Sequence, residues 1–307
     1  MGPIKPYRSI SRPIDSIMFH QLAAIVFPLF AMVAAGFFYG RRHLPDMAVA
    51  NRINLEIFTP ALIFSVLSAK DFQIAAYANL ALAGTLVVLG SGLIAWPLAR
   101  LAGWRGKAFV PPMMFTNSGN MGLPLAVLAF GEPALAAALV LFLVENTLHF
   151  TVGTALLEGR IHPGMLLRIP MLQATLAGLA VALLDVTVWA PLAVTLDLMG
   201  QVAIPLMLFA LGVRMTRINF KDWRIGLAGA VICPASGIAI ALLAAPLLGV
   251  TGQQYDQLLV FGALPPAVLN FMLAEKFNES PEAVASIVLM GNLASMLTLP
   301  AVLAWVL

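Results

Sequence analysis

The sequence MFTNSGNMGLPL, from Met114 to Leu125, interrupts an apolar run that begins near Ala108 and ends near Phe130. The run is long enough to cross a bilayer, yet its middle contains two asparagines, two glycines and a proline. In lipid an unpaired backbone or amide group costs several kcal/mol, so non-helical backbone survives there only inside protein or beside a water-filled cavity. The stretch therefore predicts a transmembrane helix that is broken near its middle.

The composition indicates a polytopic membrane protein. The chain has 307 residues, of which 61% are hydrophobic and only 10% are charged, and its mean hydropathy of +0.95 lies outside the range of soluble domains. The single cysteine, Cys233, excludes a disulfide framework and a thiol metal site. The net charge of +3 is dispersed among loops without an aromatic-interleaved basic stripe, so no nucleic-acid partner is expected.

Ten runs of predominantly apolar residues have the length, about 20 residues, that a helix needs to cross the hydrocarbon core. Charged residues, glycine or proline bound these runs. The predicted spans are 18–39, 47–68, 75–99, 107–130, 133–157, 167–188, 190–213, 224–248, 254–276 and 282–306. Residues 1–17 form a basic N-terminal tail that we expect to remain in the mature chain, because no small-residue cleavage pattern follows Gly40.

Lysine and arginine are distributed unequally between the two sets of loops, which predicts the orientation in the membrane. One set of loops contains only Lys70. The other set contains Arg41, Arg42, Arg52, Arg100, Arg105, Lys107, Arg160, Arg168, Arg214, Arg217, Lys221, Arg224 and Lys276. The asymmetry predicts an inner-membrane protein with cytoplasmic basic loops and both termini outside, in the periplasm, although Lys5, Arg8 and Arg12 in the tail disagree with it.

Three pairs of similar segments, offset by about 145 to 149 residues, indicate an internal repeat. They are EIFTPALIFSVLSAKDF (56–72) with QVAIPLMLFALGVRMTRINF (201–220), LIAWPLARLAG (93–103) with ALLAAPLLGVTG (241–252), and FGEPALAA (130–137) with FNESPEAVAS (277–286). The repeat divides the chain into halves of five spans, 18–157 and 167–306. Because five is odd, the halves must be inverted, as in many secondary transporters. The predicted fold is thus an all-α membrane protein with ten transmembrane helices in two inverted five-helix repeats.

The ninth span supplies the counterpart of the interrupted fourth span. Its sequence FGALPPAVLNFMLAEKF contains Pro265 and Pro266 at the centre, with Asn270 one turn later. Two consecutive prolines remove two backbone donors and restrict the preceding Leu264, so this helix must also open. Two broken helices in corresponding positions of inverted halves predict a transport site between them.

The two interruptions suit the binding of an anion. The second half of each broken helix exposes amides at its positive dipole end, and neutral asparagine amides can hold a carboxylate and still release it. The alternative is that the asparagines only cap the interruptions. The candidate substrate-binding residues are Asn117, Ser118, Gly119, Asn120, Gly122, Pro265, Pro266 and Asn270, and the candidate helix-breaking residues are Pro124, Pro265 and Pro266.

An ionisable residue inside a membrane span is a functional candidate. Glu145 lies in the middle of span five, with Asn146 beside it and His149 one turn away on the same face. These three residues are candidates for coupling transport to a proton or to sodium. The alternative is a structural glutamate held by a hydrogen bond to His149 or to an asparagine.

The other acidic residues are predicted to lie near the ends of spans. Glu56 is expected to snorkel toward the cytoplasmic end of span two, and Asp185 and Asp197 are expected to be solvated. Glu275 and Lys276 close the ninth span and are predicted to pair.

The sequence offers no pattern for enzyme chemistry. The histidines His20, His43, His149 and His162 have no metal-ligand spacing, and neither a P-loop nor a GxSxG motif occurs. We therefore expect no catalytic residue, no metal site and no cofactor, apart from a coupling ion.

Three stretches together resemble the auxin efflux carrier family, which comprises bacterial and plant transporters related to the bile acid sodium symporters. They are ALPPAVLNFMLAEKFNESPEAVASIVLMGNLASMLTLP (263–300), NRINLEIFTPALIF (51–64) and NSGNMGLPL (117–125). The resemblance implies crossing fourth and ninth helices, a scaffold domain from spans 1, 2, 6 and 7, and a transport domain from spans 3–5 and 8–10. It also implies elevator-type alternating access, a homodimer and organic anion substrates, with Asn117 at the carboxylate-binding position and Pro265 at the ninth-span proline.

Departures from the plant branch indicate a bacterial-type member with a more polar site. Asn270, Asn120 and Glu145 stand where the plant carriers tend to have proline, an aliphatic residue and glutamine. Family substrates include auxin in the plant branch and malate or malonate in several bacterial members, and these departures favour a small polar carboxylate. The other functions compatible with the sequence are an anion channel or pore, and a membrane sensor that binds carboxylates without transporting them.

Overall fold

A computed structural model describes residues 14–69, 73–160, 168–216 and 222–307, and their regular secondary structure is entirely helical. The α-helices are α1 (Ile14–His43), α2 (Ala48–Ile53), α3 (Thr59–Leu67), α4 (Ala78–Leu101), α5 (Gly106–Met114), α6 (Leu123–Phe130), α7 (Leu135–Leu148), α8 (Thr154–Glu158), α9 (Pro170–Leu183), α10 (Ala190–Arg214), α11 (Trp223–Leu247), α12 (Gly252–Gly262), α13 (Val268–Phe277) and α14 (Pro281–Val306). Single π-helical turns span Asn54–Phe58, Ser118–Gly122 and His149–Gly153, and 3₁₀ turns span Ile74–Tyr77 and Glu132–Ala134. The predicted all-α class is confirmed.

Within the described residues, six helices are long and apolar enough to cross a membrane. They are Ala23–His43, Ala75–Leu101, Glu132–Glu158, Ala190–Arg214, Trp223–Leu247 and Pro281–Val306. The remaining four predicted spans coincide with helical segments that are short or interrupted. The ten-span count and the inverted topology therefore stay predictions.

The helices pack in two groups. In one group α1 packs along α10, and α3 contacts both α9 and α10. The contact between α1 and α10 depends on Gly36 and Gly212, because a Cβ atom at Gly212 would collide with the carbonyl of Val33 and one at Gly36 with that of Phe209. In the other group α4 packs on α5 and α11, and α11 packs on α14.

Hydrogen bonds place several loops together at two opposite ends of the second group. At one end the Lys107 ammonium donates to the carbonyl of Leu157 at 2.7 Å and contacts Glu279 Oε1 at 3.1 Å. At the other end Gln253 donates to the Phe130 carbonyl at 3.2 Å and Gln254 donates to that of Ala76 at 3.0 Å. The first end contains loops that the sequence assigns to the basic, cytoplasmic set.

The orientation of the protein in the membrane is inferred only from the distribution of lysine and arginine in the sequence. Several of the basic residues that enter the orientation argument lie outside the described residues, namely Lys5, Arg8, Arg12, Lys70, Arg217 and Lys221. The predicted periplasmic location of both termini stays a prediction.

Candidate site at two interrupted helices

The first interruption separates α5 from α6. α5 ends at Met114, after which Phe115 is extended, with φ −108° and ψ 107°, and Asn117 leaves helical geometry with φ −84° and ψ 50°. A π-helical turn then leads into α6, whose first turn contains Pro124. The interruption therefore lies before Pro124, which the sequence analysis named as a helix-breaking residue, and proline is well tolerated in such a first turn.

The second interruption separates α12 from α13 and contains Pro265 and Pro266. α12 ends at Gly262, and α13 begins at Val268 after Ala267, which is extended with φ −67° and ψ 143°. Neither proline has a backbone N–H, so only their carbonyl groups need hydrogen-bond partners. The helix therefore opens where the sequence predicted.

The two interruptions lie side by side and form backbone hydrogen bonds with each other. The N–H of Asn117 donates to the Pro265 carbonyl at 2.7 Å, and the N–H of Ala267 donates to the Phe115 carbonyl at 3.0 Å. The result is an isolated antiparallel bridge between Thr116 and Pro266. These bonds satisfy backbone groups that neither broken helix can pair internally. We call this pairing of residues 115–117 with residues 265–267 the crossing.

Asn292, from the middle of α14, connects the two sides of the crossing. Its Oδ1 accepts a hydrogen bond from Asn117 Nδ2 at 3.1 Å, and its Nδ2 donates to the carbonyl of Pro266 at 3.0 Å. Asn117 and Asn292 are only 2% and 4% exposed. Asn292 was not among the predicted site residues, although a polar residue inside an apolar span was a signal that could have identified it.

Asn270 also holds the crossing together. Its Nδ2 donates to the Phe115 carbonyl at 2.8 Å and to the Ala267 carbonyl at 3.0 Å. Both amide hydrogens of Asn270 are thus used within the protein, which favours a structural role for this side chain in the conformation observed.

The other candidate binding residues surround the π-helical turn after the first interruption. Ser118 is buried and lines a small cavity with Gly122 and Gln257, whereas Asn120 is half-buried. Gly119 faces the ring of Phe142, and a Cβ atom there would lie 2.8 Å from the ring. The structure therefore brings these candidates to one place but does not direct all of them into one cavity.

Glu145 and His149 both contact the first interruption. The Thr116 hydroxyl donates to Glu145 Oε2 at 3.2 Å, and the ring of His149 stacks on that of Phe115 with centroids 4.1 Å apart and planes 7° from parallel. The hydrogen bond between Glu145 and His149 or an asparagine, which the sequence allowed, does not occur among the described contacts. Asn146 instead donates to the Phe142 carbonyl of its own helix at 2.9 Å.

Two buried polar atoms beside the crossing lack a hydrogen bond of ordinary geometry to any described residue. They are Nε2 of His149 and Oδ1 of Asn270, which belong to neighbouring side chains. Most buried polar atoms in folded proteins have a partner, so such atoms call for an explanation.

A cavity of about 810 Å³ leads from one end of the molecule to Asn292. It lies between α2, the first π-helical turn and the end of α10 on one side, and α13 and α14 on the other. The lining residues include Pro45, Asp46, Asn51, Arg52, Glu56, Leu211, Arg214, Val268, Phe271, Met272, Glu275, Val288 and Asn292. The cavity thus connects the surface to the residue that bridges the two broken helices.

The remaining acidic residues differ in their surroundings. Glu56 is exposed beside Arg52, at 3.8 Å, and faces the cavity. Asp185 is exposed after the end of α9, but Asp197 lies well within α10, where its carboxylate accepts a 2.8 Å hydrogen bond from Gln201.

The predicted ion pair between Glu275 and Lys276 is wrong. No ion pair between them occurs among the described contacts, and Lys276 Nζ lies over the Phe277 ring, 5.2 Å from its centroid. The physical reason is that consecutive residues of a helix point in different directions and do not face each other.

Comparison with known proteins supports the resemblance seen in the sequence. Residues 161–303 match the family described as "Membrane transport protein". A protein of Rhizobium meliloti (strain 1021), named "Putative malonate transporter", is 27% identical over 316 aligned positions that cover 92% of this chain and 95% of the relative. With its apolar helices, the chain is a multi-pass membrane transporter and not an enzyme. These similarities support the resemblance to the auxin efflux carrier family that the sequence indicated, and the stretch 263–300 lies within the matched residues.

Proposed function

We propose that the protein is a secondary transporter of small carboxylates across the cytoplasmic membrane, with its binding site at the crossing. The observation that carries this proposal is the Asn117–Asn292 hydrogen bond at the inner end of the 810 Å³ cavity. Neutral amides and the positive ends of the broken helices can hold a carboxylate without trapping it permanently. Asn117 is the residue that we expect to exchange its bond with Asn292 for a bond to substrate.

We infer that the substrate is a small dicarboxylate. The malonate named for the Rhizobium meliloti relative supports this choice. The polar groups near the crossing support it too, because Asn117, Asn120 and Asn292 are less suited to a large aromatic acid. A C3 to C5 dicarboxylate is thus the expected class.

The transport cycle that we propose is an elevator movement of one helical group against the other. The cavity lies between the groups, as alternating access requires, and the packing supports a scaffold domain of α1–α3, α9 and α10 and a transport domain of α4–α8 and α11–α14. The directions of two corresponding helices support inverted repeats. α4 runs from the end of the molecule that contains Ala76 to the end that contains Arg105, whereas α11 begins at the Arg105 end and runs the opposite way. Ten spans and a homodimer complete this proposal.

Coupling to a proton or sodium gradient is proposed to involve Glu145 and His149. Glu145 is 2% exposed and accepts a hydrogen bond from the Thr116 hydroxyl. Thr116 lies between Phe115 and Asn117, whose backbone groups bond across the crossing. A change in the charge of this carboxyl group would therefore act directly on the crossing. The buried imidazole of His149, next to Asn270 of the second broken helix, offers a second ionisable group nearby.

Replacing Glu145 with glutamine tests the coupling. We expect Glu145→Gln to remove the dependence of transport on a pH or sodium gradient while retaining substrate exchange, because glutamine can still accept the Thr116 hydrogen bond but cannot change charge. The measurement is uptake and exchange in proteoliposomes with imposed gradients. An unaltered gradient response would make Glu145 structural, and loss of substrate binding would move it into the binding site.

Counterflow in proteoliposomes tests the proposed function itself. Vesicles loaded with unlabelled malonate should accumulate labelled malonate, with a rate that saturates as the external concentration rises. A channel would give flux without saturation or counterflow, and a sensor would bind malonate without flux. Either outcome would contradict the transporter mechanism proposed here.

A further inference from the structure

We propose that Arg214 binds the second carboxylate of a dicarboxylate substrate and thereby selects dicarboxylates over monocarboxylates. The inference rests on the proposed function, and it adds a residue that the sequence analysis did not consider for the site.

Arg214 is the last residue of α10, and it lines the same cavity as Asn292. It is half-buried, and its Nη1 lies 3.9 Å from the Sδ atom of Met272. A thioether is a weak acceptor, whereas guanidinium carries five N–H donors. No carboxylate forms an ion pair with Arg214 among the described residues.

The acidic residues of the cavity are positioned differently. Asp46 accepts a hydrogen bond from the backbone N–H of Ala48 at 2.9 Å, and Glu56 faces Arg52. Glu275 is exposed on α13. Arg52 thus faces a carboxylate within the cavity, whereas the guanidinium of Arg214 forms no ion pair with any carboxylate of the described residues. A guanidinium group binds a carboxylate through two parallel hydrogen bonds in one plane, a bidentate geometry, so Arg214 is well suited to bind a substrate carboxylate.

The spacing along α13 suits a ligand with two charged ends. Met272, which contacts Arg214, lies four residues after Val268, the first residue of α13, or about 6 Å along the helix. Val268 directly follows Ala267, whose N–H bonds across the crossing. One carboxylate can therefore meet the amides at the crossing while the other meets Arg214, and a monocarboxylate gains only the first contact.

Malonate and its monoamide, which have the same shape but differ in one charge, provide the test. For purified Arg214→Gln we expect the Kd of malonate to rise about ten- to a hundredfold, the effect of losing a charged hydrogen bond. The Kd of the monoamide should change little. Arg52→Gln is the matched control, since it removes an equal charge from the same cavity but from an exposed arginine that already faces Glu56.

The possible outcomes separate the explanations. Unchanged malonate affinity in Arg214→Gln, equal losses for both ligands, or an equal loss in Arg52→Gln would each overturn the proposal. If Glu275→Gln had the same effect as Arg214→Gln, the two residues would form an ion pair that closes the cavity, and this result would also contradict the proposal. If Arg214→Gln does not fold, Arg214→Lys, which keeps the charge but not the planar fork, should show a smaller loss specific to malonate. Failure of the wild-type protein to bind or transport malonate would contradict the proposed function instead.

Discussion

Replacing Asn117 with alanine should reduce carboxylate transport by at least about a hundredfold. The variant loses the hydrogen bond from the Asn117 amide to the charged carboxylate of the substrate, and it also loses the group that orients Asn292. In the observed conformation the Asn117 amide donates to Asn292, which also holds the Pro266 carbonyl. The protein should remain folded, because the backbone bonds of Asn117 and Ala267 across the crossing are retained. Initial rates of malonate counterflow in proteoliposomes, with matched protein content, measure the effect.

Asn79→Ala provides the control for Asn117→Ala. Asn79 is exposed in the first turn of α4, so its replacement should leave both transport and thermal stability close to wild type. Wild-type transport by Asn117→Ala would contradict the assignment of the site to the crossing. Unfolding of Asn117→Ala would show that this side chain is mainly structural.

Replacing Gly291 with alanine should also abolish transport, because Gly291 packs against the ring of Pro266. A Cβ atom at position 291 would lie 2.5 Å from Pro266 Cδ. The proline ring is rigid and belongs to the crossing, so relief of this contact must displace the crossing from α14. The clash should cost roughly 1–3 kcal/mol of stability, which equals or exceeds the gain of about 1 kcal/mol expected from replacing a helical glycine with alanine.

Gly106→Ala is the matched control, since a Cβ atom there would have no neighbour within 4 Å. We expect this variant to be as stable as the wild type or slightly more stable, and to transport normally. Thermal unfolding in detergent and malonate counterflow together check both variants. Normal transport by Gly291→Ala would mean that the packing of α14 on Pro266 is unimportant for the cycle.

The sequence by itself determined that this is a membrane protein, the family that it resembles and the approximate positions of the two helix interruptions. These properties are local: apolar length decides whether a helix can span the bilayer, and Pro265 and Pro266 each lack the backbone N–H that would continue the hydrogen bonds of a helix. The family match over residues 161–303 supports the resemblance in the stretch 263–300, since such a match depends on residue identity alone.

Only the tertiary structure decided which polar groups meet. Asn117 and Asn292 are 175 positions apart, and Asn270 and Phe115 are 155 positions apart, yet each pair is hydrogen-bonded. Likewise, the sequence predicts only that Arg214 is a basic residue at the end of a span, whereas the fold places it in the cavity, opposite Met272 of α13. Such contacts depend on how helices from distant parts of the chain pack. Apolar periodicity and turn-forming residues act between neighbours in sequence, so they do not specify that packing.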